Sequence, residues 1–346
     1  MRTTTGWRAT GPETVARTQL TRRELRPDDI AVRVDFCGVC HSDVHALRTH
    51  DEHAGAPLVP GHEFTGVVTG TGAEVTAFSV GDGVAVGNIV DSCGTCAMCV
   101  AGQENYCRSF PTLTYGGTDR VDGSTTLGAY SREYVVREGF AYALPAGLDP
   151  AAAAPLLCAG VTVWEPLRAL RVGPDNRVAV AGLGGLGHLA VKMAVALGAT
   201  TTVISRGDGK RDDALRLGAH SFVDSTDEQR MAEVRDTFDV VIDTVSAPHD
   251  LAPYLRTVAT DGTLSLVGYL GQVTIEATDL LMGRKKLSSS GSGGRPGTAE
   301  MLRFCADNGI VADVEVLPSA QVNTALDRLR RNDVRYRFVL DMSDLG

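Results

Sequence analysis

The chain has 346 residues, 43% of them hydrophobic, which allows about two domains with proper cores. With 33 basic against 42 acidic residues the net charge is −9, and no Lys/Arg-rich run or basic stripe is present, so no nucleic-acid partner is expected. The N-terminal "MRTTTGWRATGPETV" has no apolar signal core and no run approaches the roughly 18 apolar residues of a membrane span, so the expectation is a soluble, cytoplasmic protein with no membrane partner.

In chain order, "AVRVDFCGVC" alternates as a strand entering a loop, which makes Cys37 a packing residue. The loop continues as "CGVCHSDVH", with Cys40, His41 and His45 as potential ligands, and "VPGHEFTG" sets His62 and Glu63 after a glycine at a strand end. His50 and His53, in "RTHDEHAG", fall on an exposed loop. Next, "SCGTCAMCVAGQENYC" gathers Cys93, Cys96, Cys99 and Cys107, with Gly94 and Gly102 loosening the backbone between them. Clustered cysteines in a reducing compartment are more often metal ligands or redox groups than disulfides. The C-x2-C-x2-C spacing with a fourth cysteine suits a tetrahedral zinc with sulfurs at about 2.3 Å better than a redox pair or an iron–sulfur cluster. Four thiolates leave such an ion no open position, so this site is expected to fasten a loop and perform no chemistry. Cys158 follows in "PLLCAGVT", and Cys305 falls in the helical-looking "GTAEMLRFCADNG", where core packing is expected.

Between these, "RVAVAGLGGLGHLAVKMAVALGA" reads as strand, glycine turn and helix, and "TTVISR", "SFVDS", "DVVIDTV", "GTLSLVG" and "KLSSSGSG" supply further strands. The alternation with helical stretches predicts a doubly wound parallel sheet, an α/β fold. Gly182, Gly184 and Gly187 form G-x-G-x-x-G after a strand and before a helix, the context in which backbone, including Gly185 and Leu186, meets a pyrophosphate. An NAD-selective fold carries an acid about 20 residues further on. Here Ser205 stands at that place, followed by Arg206 and Lys210, which suit a ribose 2′-phosphate and predict NADP(H). Asp208 is the competing reader of the ribose and is expected to point outward after Gly207.

Several ordered stretches together resemble the zinc-dependent medium-chain alcohol dehydrogenases, in the cinnamyl alcohol dehydrogenase-like branch. They are "GVCHSDVH", "PLVPGHEFTGVV", "VGDGVAVG", "SCGTCAMCVAGQENYC", "TLGAYSREYVV", "APLLCAGVTVWEPLR", "GLGGLGHLAVKMA" and "DVRYRFVLD". The resemblance implies a GroES-like β-rich catalytic domain over residues 1–157, with the structural zinc loop inserted and residues 297–346 completing it, and a Rossmann nucleotide domain over 158–296. It also implies a catalytic zinc held by Cys40, His62 and Cys158, hence two zinc ions per chain, with Glu63 either a transient ligand or a nearby charge. Two thiolates and one imidazole balance Zn²⁺ and leave one position for an alcohol or aldehyde oxygen. Asp43 is expected to orient a ligand histidine, Ser42 and His45 to pass a proton toward solvent, and His41 to touch the pyrophosphate. Thr162 is a further cofactor-binding candidate, and Leu47, Phe110 and Trp164 are candidate pocket residues with ordinary packing as their alternative. At "SSSGSGGRPG" the resemblance places a strand and cofactor or interface contacts, although Arg295 and Pro296 depart from the commoner pattern. The expectation is a homodimeric NADP-dependent enzyme interconverting primary alcohols and aldehydes, aromatic or medium aliphatic. The alternatives are a polyol or secondary-alcohol dehydrogenase on the same scaffold, or a nucleotide-binding redox sensor without catalysis.

Overall fold

β-Branched and apolar residues dominate "DIAVRVDFCGV", and in the computed structural model, which describes residues 1–50 and 57–346, they form the strand Asp29–Val39. His53 lies outside the described residues. The strand belongs to the first of two units, Met1–Cys158 with Gly293–Gly346; the second unit is Ala159–Ser292. Cys158 and residues 293–296, placed in the nucleotide domain from sequence, thus fall in the first unit.

In the first unit a seven-stranded sheet runs in the order Val314–Pro318, Arg337–Asp341, Asp29–Val39, Phe64–Thr71, Gly83–Val86 and Ala141–Ala143, with Glu133–Arg137 also paired to Asp29–Val39. The register sets Cys37 between Phe64 and Leu340, and Val39 opposite Phe338. The chain therefore leaves the sheet at Cys40 close to the point where Arg337 enters it. Cys37, Phe64, Tyr130 and Phe338 are fully buried in this core. Burial of each phenylalanine contributes roughly 1.5–3 kcal/mol.

The second unit carries six parallel strands, Arg177–Ala181, Thr200–Ser205, Ser221–Asp224, Phe238–Asp243, Val258–Leu266 and Lys286–Ser289. Their spatial order is third, second, first, fourth, fifth, sixth, the doubly wound arrangement with its turning point between Arg177–Ala181 and Phe238–Asp243. Val178, Val180, Val203, Ile204, Val241 and Ile242 are buried without alternation, as strands covered on both faces require.

"SSSGSGGRPG" is ordered: the last strand ends at Ser289, and the helix Arg295–Asp307 opens with Pro296 in its first turn, where a missing N–H costs nothing. Cys305 is fully buried on this helix, its Sγ 3.6 Å from Met301 Sδ. Among the described residues no helix is long and apolar enough to cross a membrane.

Candidate metal centres and dinucleotide turn

Cys40 caps the helix His41–Thr49, and Asp43, three residues in, returns its Oδ2 to the Cys40 N–H at 2.9 Å. Its Oδ1 accepts the Gly61 N–H at 3.1 Å and lies 3.1 Å from His62 Nδ1, while the Tyr130 hydroxyl donates to Oδ2 at 3.2 Å. Gly61 is needed at this bend: its φ is +97°, and a Cβ would stand 2.5 Å from the Tyr130 ring. Asp43 is fully buried. Its carboxylate calls for the Nδ1–H tautomer of His62, which leaves Nε2 as the free lone pair, 3.2 Å from Cys158 Sγ.

Cys158 follows the short helical turn Ala154–Leu157, with its Sγ 3.9 Å from Cys40 Sγ. The three ligand atoms lie within 4.8 Å of one another. A tetrahedral zinc site with bonds of about 2.0–2.3 Å places neighbouring donors roughly 3.5–3.8 Å apart, so the cluster has the size that ion needs. Contact with Cys158, opposed by burial and aided by the Arg337 and His62 charges, holds the Cys40 thiol well below its ordinary pKa. The same contact, with burial, pushes Cys158 well above. Two sulfurs so placed resist ionising together unless a cation joins them.

Glu63 is fully buried, and neither carboxylate oxygen makes a hydrogen bond. Arg337 Nη1 stands 3.7 Å away. Burial raises the Glu63 carboxyl to about 7, with Arg337 opposing the rise. Arg337 also acts by charge on Cys40 and Cys158. Sequence reasoning missed it, reading "DVRYRFVLD" only as part of a resemblance; an arginine opening a strand whose next three residues are apolar was the available signal. Tyr130 was missed too, as was Tyr115, whose ring stands edge-on to His62 at 5.7 Å, and nothing in their spacing marks them.

His41, Ser42 and His45 are exposed on the first turns of the helix, and Ser42 Oγ lies 3.5 Å from Cys40 Sγ. Ser42 and His45, three residues apart, share a side of the helix. Leu47, by contrast, is fully buried in the first unit's core, which is ordinary packing. Phe110 is 68% exposed and Trp164 is buried. His50 is half-buried just past the helix end.

The four other cysteines also converge, with ligand atoms within 4.8 Å of one another. Cys99 Sγ lies 3.8 Å from Cys93 Sγ and 3.5 Å from Cys96 Sγ, near the edge of a zinc–sulfur tetrahedron and far beyond a disulfide bond. Gly94 and Gly102, at φ +69° and +71°, turn the chain around the cluster. Backbone N–H groups point inward: that of Cys96 approaches Cys93 Sγ at 3.4 Å and that of Arg108 approaches Cys96 Sγ at 3.5 Å. The N–H groups of Cys96 and Thr95 hold the Cys93 thiol down to about 5. Arg295 and Pro296 settle against this loop. The Arg295 N–H donates to Glu104 Oε2 at 2.9 Å, its guanidinium lies over the Phe140 ring at 5.3 Å, and Pro296 packs on Gly102.

In the second unit Gly182 has φ +87°, and a Cβ on Gly187 would stand 2.1 Å from the Gly182 carbonyl oxygen, so both glycines are sterically required. Gly184 is exposed, and a Cβ there would meet nothing. Gly185 and Leu186 complete the turn before the helix Gly187–Ala196. Thr162 lies in the helix Ala159–Ala169, half-buried. Ser205 ends its strand buried, and Arg206 is exposed beside it. Lys210 Nζ donates to the Leu183 carbonyl at 2.9 Å, which brings its charge onto the glycine turn. Asp208 is held by Arg211 at 2.7 Å and Arg230 at 3.2 Å.

Residues 26–146 match the family described as alcohol dehydrogenase GroES-like domain, and residues 185–307 that described as zinc-binding dehydrogenase. The chain is 44% identical over 331 residues to a probable formaldehyde dehydrogenase, AdhA, of Bacillus subtilis, covering 95% of this chain and 94% of that protein. It is 42% identical over 334 residues to NADP-dependent alcohol dehydrogenase C of Mycobacterium bovis, covering 96% of each. The solved structure of the cinnamyl alcohol dehydrogenase SbCAD4 from Sorghum bicolor superposes with a TM-score of 0.94 at 43% identity, covering 98% of each chain. The fold and the cysteine–histidine cluster define a zinc-binding oxidoreductase. The chain belongs to the zinc-dependent medium-chain alcohol dehydrogenases, in the cinnamyl alcohol dehydrogenase-like branch.

Proposed function

We propose that the protein interconverts primary alcohols and aldehydes, aromatic or medium aliphatic, with NADP(H) as coenzyme and two zinc ions per chain. The observation that carries this reading is the convergence of Cys40, His62 and Cys158, with Asp43 behind the histidine. A zinc ion held by two thiolates and one imidazole supplies a Lewis acid to the alcohol or aldehyde oxygen. Asp43 keeps His62 in the ligating tautomer, and Ser42 takes the substrate proton and hands it toward His45 and solvent. His41 and Thr162 contact the coenzyme, and the open backbone at Gly184 admits its pyrophosphate. Ser205, Arg206 and Lys210 receive the 2′-phosphate, a role favoured by the engagement of Asp208 with two arginines. The names of the Mycobacterium and Sorghum relatives point the same way.

The four-cysteine site fastens its loop. A homodimer is supported by the exposed apolar side chains of Tyr269, Leu281 and Met282, at 75%, 74% and 70%, in the stretch leading to the edge strand Lys286–Ser289. A cytoplasmic setting suits eight cysteines that are all free. A spectrophotometric screen of primary, secondary and polyol alcohols and of aldehydes, with both nicotinamide coenzymes, tests the reading. Highest kcat/KM on a primary alcohol–aldehyde pair is expected; preference for polyols or secondary alcohols, or no turnover at all, would overturn it.

A further inference from the structure

Asp243 closes the strand Phe238–Asp243 and pairs across the sheet with Ala181, the residue before Gly182. It therefore stands where the strand order turns back, the place at which doubly wound sheets receive dinucleotides. It is fully buried; its Oδ1 accepts the Val245 N–H at 3.0 Å, and its Oδ2 lies 3.0 Å from His249 Nε2. Neither Oδ2 nor Nε2 has another hydrogen-bond partner, so each faces only the other.

The other ring nitrogen, His249 Nδ1, lies 2.9 Å from the Ala247 carbonyl oxygen. A carbonyl only accepts, so Nδ1 carries a proton. Nε2 faces a carboxylate. With a neutral ring and an ionised carboxylate, one of these two contacts would set lone pair against lone pair. The arrangement thus holds one proton more than a neutral imidazole and a carboxylate together. Burial raises the Asp243 carboxyl above its ordinary pKa against the opposing pull of His249, which favours keeping that proton.

The segment between the two residues rests on the glycine turn. Thr244 Oγ1 lies 2.8 Å from the Ala181 oxygen and 3.3 Å from the Gly182 oxygen. A Cβ on Gly182 would meet the Val245 side chain at 3.1 Å, and one on Gly268 would meet the Val245 carbonyl oxygen at 2.2 Å. The other ionisable groups here are Tyr254 of the helix Ala252–Thr257, its ring 5.4 Å from that of His249, Arg206, whose charge reaches Tyr254, and Asp250, which accepts the Ala252 N–H. Burial pushes the Tyr254 phenol up, so it stays protonated near neutral pH.

We propose that Asp243 and His249 form a protonated clasp that seats the Thr244–Pro248 segment on the Gly182 turn and thereby sets how tightly the coenzyme is held. This rests on the coenzyme reading given above. His249 is a positioning residue: it acts through the segment it holds. The clasp loosens as pH rises and the shared proton leaves.

The test is NADPH binding by fluorescence titration between about pH 6 and 9, on wild type, His249→Ala, His249→Gln and Asp243→Asn, with melting temperatures as a folding control. A segment seated one-tenth of the time lowers apparent affinity about tenfold, the loss expected for His249→Ala. His249→Gln supplies an uncharged amide donor to Asp243, and Asp243→Asn supplies one to the Nε2 of a neutral His249. Both are expected to keep most of the affinity and to lose the weakening that wild type shows as pH rises. Titration of the coenzyme's own phosphate is common to all four proteins and cancels in the comparison. Wild-type affinity and pH profile in His249→Ala, or an unchanged pH profile in the two amide variants, would overturn the clasp. Wild type that bound neither NADPH nor NADH would overturn the coenzyme reading and the clasp with it.

Discussion

Arg337 and Glu63 face each other at 3.7 Å, both withdrawn from solvent, and no hydrogen bond satisfies either carboxylate oxygen. Removing the arginine leaves a buried carboxyl without its counter-charge. In zinc-stripped protein, Arg337→Met is expected to lower stability by about 3–5 kcal/mol near pH 8. The folded Glu63 titrates at about 7, above its ordinary value of 4.5. As pH falls through 7 the folded carboxyl takes up a proton and has less to lose with the arginine, so the loss should shrink near about pH 5.5. Urea unfolding at the two pH values measures this; equal losses would place the partner of Arg337 elsewhere.

The two cysteine clusters should separate by mutation. Dialysed wild type is expected to hold zinc at a ratio near two per chain, matching the two clusters. Cys158→Ala should abolish turnover and leave the fold intact. Cys99→Ala should lower thermal stability first, because metal binding at a closed cysteine site is coupled to folding. Zinc analysis, melting curves and turnover on the same preparations decide; wild-type turnover in Cys158→Ala would remove the catalytic assignment.

Ser42 is the hydroxyl beside Cys40, at 3.5 Å from its sulfur. Ser42→Ala should cut kcat by roughly 10²-fold or more, the scale of a lost acid–base group, and His45→Gln should cost less because water can replace an outer relay member. A pH–rate profile unchanged in both variants would exclude them from proton transfer.

Arg206 extends from the end of its strand into solvent beside buried Ser205. NADPH is expected over NADH by at least roughly tenfold in kcat/KM, about 1.4 kcal/mol, a modest demand on charge-assisted hydrogen bonds. Arg206→Ala should raise KM for NADPH and barely change it for NADH. Steady-state kinetics with both coenzymes would show a wild-type preference for NADH if Asp208 reads the ribose instead.

The parallel sheet was legible because each buried strand is a short run of β-branched residues bounded by turns, as in "RVAVA" and "DVVID". The cysteine clusters were legible because ligands close in sequence must be close in space, and because Cys40, His62 and Cys158 matched a family pattern. What sequence hid were contacts made by pairing over long separations. Arg337 reaches Glu63 only because Arg337–Asp341 pairs with Asp29–Val39, and Tyr130 reaches Asp43, on the helix His41–Thr49, from a segment 87 residues further along the chain. The clasp at Asp243 was hidden differently: only five residues separate it from His249, but their meeting depends on a loop conformation no periodicity encodes. The ion pairs of Asp208 with Arg211 and Arg230 were hidden as well, since nothing in "SRGDGKR" says that they form.

The first unit is made of two stretches of chain with the whole second unit between them, and its sheet includes Val314–Pro318 and Arg337–Asp341. During synthesis, then, Cys40, His62 and Cys158 leave the ribosome long before the strand that brings Arg337 to them. Domains tend to fold as they emerge, so the Rossmann unit can close while its predecessor still lacks an inner strand. The oldest part of the nascent chain is the last to be finished: Cys40, His62 and Cys158 wait for the strand that carries Arg337 before their surroundings are complete.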